Sequence, residues 1–172
     1  MTKARCPVTV GGVLVGILSD THDRLETTIA GLEALRSAGA GFYIHCGDVG
    51  SEMILDQLAG LKAALVWGNN DWDRRGLSRY AEHLGIQVLP SLGELELQRK
   101  RFAIMHGDDG KLVRKVLDGQ EHDYLLLGHS HVASDKKFGR VRVINPGALH
   151  RAATKSVALL DPAADQLRYI RI

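Results

Sequence analysis

The sequence is short of the features that mark a secreted, membrane-bound or nucleic-acid-binding chain. It has only two cysteines, Cys6 and Cys46. They form no Cys-x-x-Cys pair and suggest no disulfide framework. Cys46 follows an apolar run and is expected as a buried free thiol. No apolar stretch reaches the roughly 18 residues of a membrane span. The N-terminus lacks the apolar h-region and cleavage site of a secretory signal, so the cytoplasm is the expected location. Neither sign of charge dominates, with 22 Lys and Arg against 20 Asp and Glu and a net charge of +2. The longest basic run is Arg99-Lys100-Arg101. It reads as a solvated hairpin turn, and no specific nucleic-acid partner is expected. Repeats, low-complexity segments and linkers are all missing.

What is present is an ordinary globular composition, 45% hydrophobic over 172 residues, enough for one self-supporting core. We read residues 1–172 as a single domain, with residues 1–12 as a flexible N-terminal extension. The anomaly is a count of eight histidines.

The first half alternates strand and helix patterns. VLVGILSD (13–20) is β-rich and is followed by Leu25, Ile29, Leu32 and Leu35 at helical spacing. Asp23 and Glu26 have the spacing of a capping box. FYIHCGD (42–48) reads as a strand, SEMILDQLAGL (51–61) as a helix and KAALVWGN (62–69) as a strand. Nearly continuous apolar strands separated by helices predict parallel pairing covered on both faces. The second half has closely spaced strands at 85–90, 94–98, 101–107, 123–131, 140–147, 156–161 and 166–172. Its one helix spans 111–119, with Leu112, Val113, Val116 and Leu117 on one face. Such spacing predicts an antiparallel region, and the class is α/β with mixed sheets.

Polar side chains cluster where the strand patterns end. Asp20 and His22 follow the first strand, Asp48 the second and Asn69 the third. His106 ends the RFAIM strand, and His129 and His131 end DYLLL. Ligands of open α/β sheets bind outside the carboxyl ends of strands. A lone histidine there is ordinarily structural, Asp20 alone could cap a helix, and Asn69 alone could turn the chain. Three Asp/Asn oxygen donors with four imidazoles are another matter. They exceed one zinc site and suit two metal ions sharing an anionic ligand, a device for phosphoryl displacement. An Asn carbonyl completes such a site without adding negative charge.

The ordered series SDTH (19–22), GD (47–48), GN (68–69), HG (106–107) and GHSH (128–131) resembles the calcineurin-like metallophosphoesterases. With INPGA (144–148) and the short length, it is similar to their small single-domain bacterial and archaeal phosphodiesterase branch. The resemblance runs from about residue 13 to residue 150. It implies a four-layer αββα sandwich of two mixed β-sheets flanked by helices. It assigns Asp20, His22, Asp48 and His131 to one divalent ion and Asp48, Asn69, His106 and His129 to the other, with Asp48 bridging. Manganese is the first expectation, and nickel, iron and zinc also suit these donors.

The expected activity is hydrolysis of a small phosphodiester by a hydroxide bridging the two metals, with Asp48, Asn69 and His106 acting through it. Three departures from the family pattern stand out. Asn70 sits near the leaving group, where many relatives carry a histidine. Asp108 stands where histidine is frequent, and Ala148 where serine is. Asp71 is expected to support the site by accepting hydrogen bonds, and His45, His83 and His122 to be structural or at the surface. His150 and Arg151 follow the NPG loop, and the sequence leaves open whether they contact the substrate. The rival readings are a non-catalytic scaffold of the same fold, as in the retromer subunit whose site is degraded, and a nuclease.

Overall fold

The structure is a computed structural model that describes residues 12–172 and the two-residue strand β1, Pro7–Val8. Cys6 and most of the expected N-terminal extension lie outside the described residues. The chain then runs β2 (Leu14–Leu18), α1 (Leu25–Ser37), β3 (Ala40–His45), α2 (Glu52–Leu55), β4 (Ala63–Leu65), α3 (Arg74–His83) and β5 (Gln87–Val88). It continues through β6 (Gly93–Leu97), β7 (Lys100–Ile104), α4 (Gly110–Gly119), β8 (Tyr124–Leu126), β9 (Ser134–Phe138), β10 (Val141–Asn145), β11 (Ser156–Asp161) and β12 (Gln166–Arg171).

Two six-stranded sheets result, in the orders β12-β11-β2-β3-β4-β5 and β1-β6-β7-β8-β10-β9. The apolar run β2-β3-β4-β5 is parallel throughout, as its pattern predicts. The second half differs from the antiparallel expectation. Its hairpins β6–β7, β9–β10 and β11–β12 are antiparallel, but β8 pairs in parallel with both β7 and β10. The reason lies in α4, a crossover helix between β7 and β8, and in β9, which intervenes between β8 and β10 and lets β10 return parallel.

Side-chain alternation divides the interior into layers. Val15, Ile17, Phe42, Ile44 and Cys46 face the second sheet, where Leu95, Phe102, Ile104, Tyr124 and Leu126 meet them. Leu18 and Tyr43 face the other way, onto Leu32, Leu35, Ile54 and Leu77 of the first three helices. Outside the second sheet, Ala103, Met105 and Leu125 receive Val116, with Leu112, Val113 and Leu117 around it. The molecule is therefore helix, sheet, sheet, helix.

Local details correct several expectations. The Asp23–Glu26 capping box does not form: Arg24 is the N-cap of α1 and makes no side-chain cap. Thr27 and Thr28 instead donate to its carbonyl. The buried face of α1 is Thr28, Gly31, Leu32 and Leu35, while Ile29 is exposed. Gly31 explains the rotation, since a Cβ there would press on Val157 and Leu149. The expected helix at 51–61 tightens into a 3-10 turn at Asp56–Leu58. Helix α3, capped by Asp73 accepting from the Gly76 amide, was missed by periodicity. Gln98 and Arg99, both at positive φ, form the two-residue β6–β7 turn.

Phe102 is wholly buried between the sheets and stacks on Tyr124, with ring centroids 4.8 Å apart. Phe102→Ala is expected to lower unfolding stability by about 3–5 kcal/mol, read as a shift in the urea midpoint.

Candidate metal centre

Every candidate ligand lies just beyond the carboxyl end of a strand that has a parallel neighbour. Asp20 and His22 follow β2, Asp48 follows β3, and Asn69 follows β4. His106 follows β7, and His129 and His131 follow β8. The backbone is contorted to deliver them. Asp20, His22, Asp48, His129 and His131 all have positive φ, between 42° and 65°, which is uncommon for residues with a Cβ. Main-chain bonds hold these turns. The Asp20 amide donates to Gly47 O at 3.0 Å, the His22 amide to Asp48 O at 3.0 Å and the Gly128 amide to His106 O at 2.9 Å. Gly68 and Gly128 have no substitute here. A Cβ on the first would collide with the Asp48 carboxylate, and on the second with the Ser19 hydroxyl.

The side chains converge. Asp48 Oδ2 lies 3.4 Å from His22 Nε2 and 3.3 Å from His106 Nε2. Asp20 Oδ1 lies 3.2 Å from His131 Nε2 and 4.0 Å from His22 Nε2. His106 donates Nδ1–H to Cys46 O at 2.9 Å, which turns Nε2 toward Asn69 Oδ1, 3.0 Å away. The His129 ring stands edge-on to His106 at 5.1 Å, and its backbone amide donates to Asp20 Oδ2. Two groups could each hold a cation: Asp20, His22 and His131, and Asp20, Asp48 and His106, with ligand atoms within 4.8 Å of one another. Asp20 Oδ1 and His22 Nε2 are buried and make no hydrogen bond among the described residues. Buried polar atoms without partners are costly. Two that converge with carboxylates and imidazoles fit a divalent ion.

The electrostatics reflect the crowding. Burial pushes the Asp20 carboxyl up, and the facing His106 and His131 imidazoles offset this only in part. Burial also acts on Asp48. There the hydrogen bonds from His106 and from the Asn70 side chain and amide prevail, holding the carboxyl below its ordinary range. His106 is desolvated, but contact with Asp48 and Cys46 O raises it above the ordinary histidine value.

A surrounding layer fixes these groups. Asp71 accepts from the Gly68 amide at 2.7 Å and the Gly50 amide at 2.9 Å, pinning the turn that carries Asn69. Asn70 donates from its amide to Asp48 Oδ1 at 2.8 Å and from its side chain to Oδ2 at 2.7 Å. His45 accepts from the Gly47 amide, which leaves Nε2–H to donate to Thr21 Oγ1 at 3.0 Å. Thr21 in turn donates to Val49 O. Asn145 donates to Gly128 O at 2.7 Å and to Ser130 Oγ at 3.1 Å, tethering the His129–His131 turn. Sequence reading missed the parts played by Thr21 and Asn145. The only signal was Asn145's place before a Pro-Gly turn. His150 lies at the rim, accepting from Arg24 Nε at 3.2 Å and packing on His22. His122 sits away from the centre on Glu94, and His83 is exposed.

Comparison with known proteins agrees with this geometry. Residues 13–165 match the family model described as the calcineurin-like phosphoesterase superfamily domain. "Phosphodiesterase MJ0936" of Methanocaldococcus jannaschii is 26% identical over 161 residues, covering 91% of this chain and 97% of its own. A solved structure titled as a novel archaeal phosphodiesterase superposes with a TM-score of 0.86 at 25% identity, over 93% of this chain and all of that one. Vps29 of Chaetomium thermophilum shares the fold, with a TM-score of 0.69 at 13% identity over 93% of this chain and 94% of that one.

Asp48→Ala is expected to leave the far-ultraviolet circular dichroism unchanged and to remove most bound divalent metal, as measured by elemental analysis of manganese-loaded protein. A second prediction concerns His45, which is 1% exposed and pushed by burial down to about 3 from 6.5. Between those two pH values the unfolded chain binds a proton that the folded chain refuses. Stability of the metal-free protein therefore falls as pH drops below 6.5, by at most about 1.4 kcal/mol per pH unit from this group. His45→Gln is expected to flatten that dependence in urea melts between about pH 4.5 and 6.5.

Proposed function

The chain belongs to the calcineurin-like phosphoesterase superfamily, and from that premise we propose that it is a two-metal phosphodiesterase acting on a small phosphodiester. The observation that carries the reading is the position of Asp48 Oδ2. It lies 3.4 Å from His22 Nε2 of one sheet and 3.3 Å from His106 Nε2 of the other, as a shared anionic ligand requires. The names of MJ0936 and of the archaeal structure point the same way.

Asp20, His22, Asp48 and His131 would hold one divalent ion, and Asp48, Asn69, His106 and His129 the second. Manganese is the ion to try first. Such ions supply Lewis acidity and a more acidic water at neutral pH. The residues do the rest. The two positions together draw on only two carboxylates, Asp20 and the shared Asp48, and Asn69 would add an oxygen without charge, so the loaded site would stay net positive toward an anionic diester. Cys46 O fixes the His106 tautomer with Nε2 facing inward. Asn70 bonds both Asp48 oxygens and cannot hand a proton to the departing oxygen near neutral pH. Leaving groups that depart as stable anions are therefore favoured. The remainder of the reading is a single domain over residues 1–172, working in the cytoplasm. Among the described residues, no helix is long and apolar enough to cross a membrane.

A scaffold role is disfavoured because every one of these ligand positions carries a competent donor. A nuclease role is disfavoured by the near-balanced charge. The test is hydrolysis of bis(p-nitrophenyl) phosphate by purified protein. We expect turnover that chelation abolishes and manganese restores. Metal-loaded, folded protein without diester hydrolysis would overturn the proposal in favour of the scaffold.

A further inference from the structure

A groove of about 190 Å³ opens beside the metal centre, with His106 in its wall. Trp67, Met105 and Leu112 give it an apolar lining, and Arg74, Asp108 and Asp109 give it three charged groups, of which Asp109 is occupied in capping α4, accepting from the Lys111 and Leu112 amides. The indole is held in place by its Nε1–H, which donates to Ser78 Oγ at 3.0 Å. Arg74 is pinned as well, donating Nε–H to Asp71 O at 3.1 Å and Nη2–H to Gly68 O at 2.8 Å. Its Nη1 makes no hydrogen bond among the described residues, nor does the Asp108 carboxylate. The groove thus combines an aromatic and aliphatic lining with one fixed donor group and two carboxylates, of which Asp108 is the one not engaged within the protein.

These chemistries choose among the groups a phosphodiester could carry. A second phosphate would suit Arg74 but would be repelled by Asp108. An alkyl chain would use the lining and none of the charged groups. A flat heterocycle with apolar faces and an edge of donors and acceptors uses all of them. We propose that this groove binds a nucleobase, so that the substrate is a nucleoside ester whose phosphate sits at the metal centre. The substrate class rests on the hydrolytic reading above; the groove assignment does not.

The test is calorimetric binding, without turnover, of the four common nucleoside 5′-monophosphates and of ribose 5-phosphate to manganese-loaded protein. Ribose 5-phosphate has the same sugar and phosphate and lacks the base. At least one nucleotide is expected to bind about ten-fold tighter than ribose 5-phosphate, in the range that stacking on an aromatic side chain supplies. The Trp67 indole N–H resonance should shift with that nucleotide and not with ribose 5-phosphate. Ser91→Trp, at an exposed position on the groove wall, should erase the preference and leave ribose 5-phosphate binding unchanged. Asp108→Ala, another exposed position, should weaken the preference several-fold with the same constancy. Equal affinity for nucleotides and ribose 5-phosphate in the wild type overturns the proposal, and so does a preference that survives Ser91→Trp. Diester turnover without nucleotide preference sinks the groove assignment alone. Nucleotide preference without diester turnover supports the groove and sinks the hydrolytic reading.

Discussion

Two carboxylates, Asp20 and Asp48, lie buried at the ends of adjacent parallel strands, 0% and 2% exposed. Like charges withdrawn from water repel, and each also loses its hydration. Much of the surrounding architecture offsets that cost. Imidazoles of His22, His106 and His131 face the two groups, and the amides of Asn70 and His129 donate to them. The left-handed turns at five of the ligand positions aim side chains inward that regular strand geometry would alternate between faces. A residual strain is the consequence, and divalent charge is its natural relief.

The sandwich makes this convergence feasible. Parallel strands place their carboxyl ends at one edge, so β2, β3 and β4 bring three loops together without long excursions. The parallel pair β7–β8 does the same in the second sheet. Stacking the sheets over Ile17, Ile44, Phe102 and Leu126 brings the two sets of loops face to face. The apolar layers act on function through register. Each strand's alternation fixes which residue is the first to leave the sheet.

The convergence of the candidate ligands was the most legible part of the sequence, because chemistry-bearing residues adjoin glycine where apolar runs stop. The parallel half was readable for a related reason, since strands covered on both faces must be apolar throughout. The rest depended on contacts that periodicity does not encode. Helix α3 buries only Leu77 and Ala81, too few apolar positions to show a stripe. Strand β9 reads SDKKF and pairs at a sheet edge, where exposure removes the hydrophobic signal. The parallel placing of β8 beside β7 and β10 follows from the α4 crossover and from the intervening β9, which strand spacing alone does not show. The rotation of α1 is set by tertiary packing, where the small Gly31 admits Val157 and Leu149 and leaves Ile29 outside. The groove beside His106 draws residues from well-separated stretches of chain, and no local pattern announces it.

Asp20, His22, Asp48 and Asn69 leave one sheet, whereas His106, His129 and His131 leave the other. Any cation held by both sets is therefore a cross-link as well as a reagent. It ties residues from the two halves of the sequence and closes long loops, much as a disulfide does in chains that can keep one. Among the described residues the one cysteine, Cys46, is buried and free, so no disulfide ties the two sheets there. A reversible clasp at the rim of the sandwich would make the opening of its layers, and hence the lifetime of the folded chain against proteolysis, depend on metal supply.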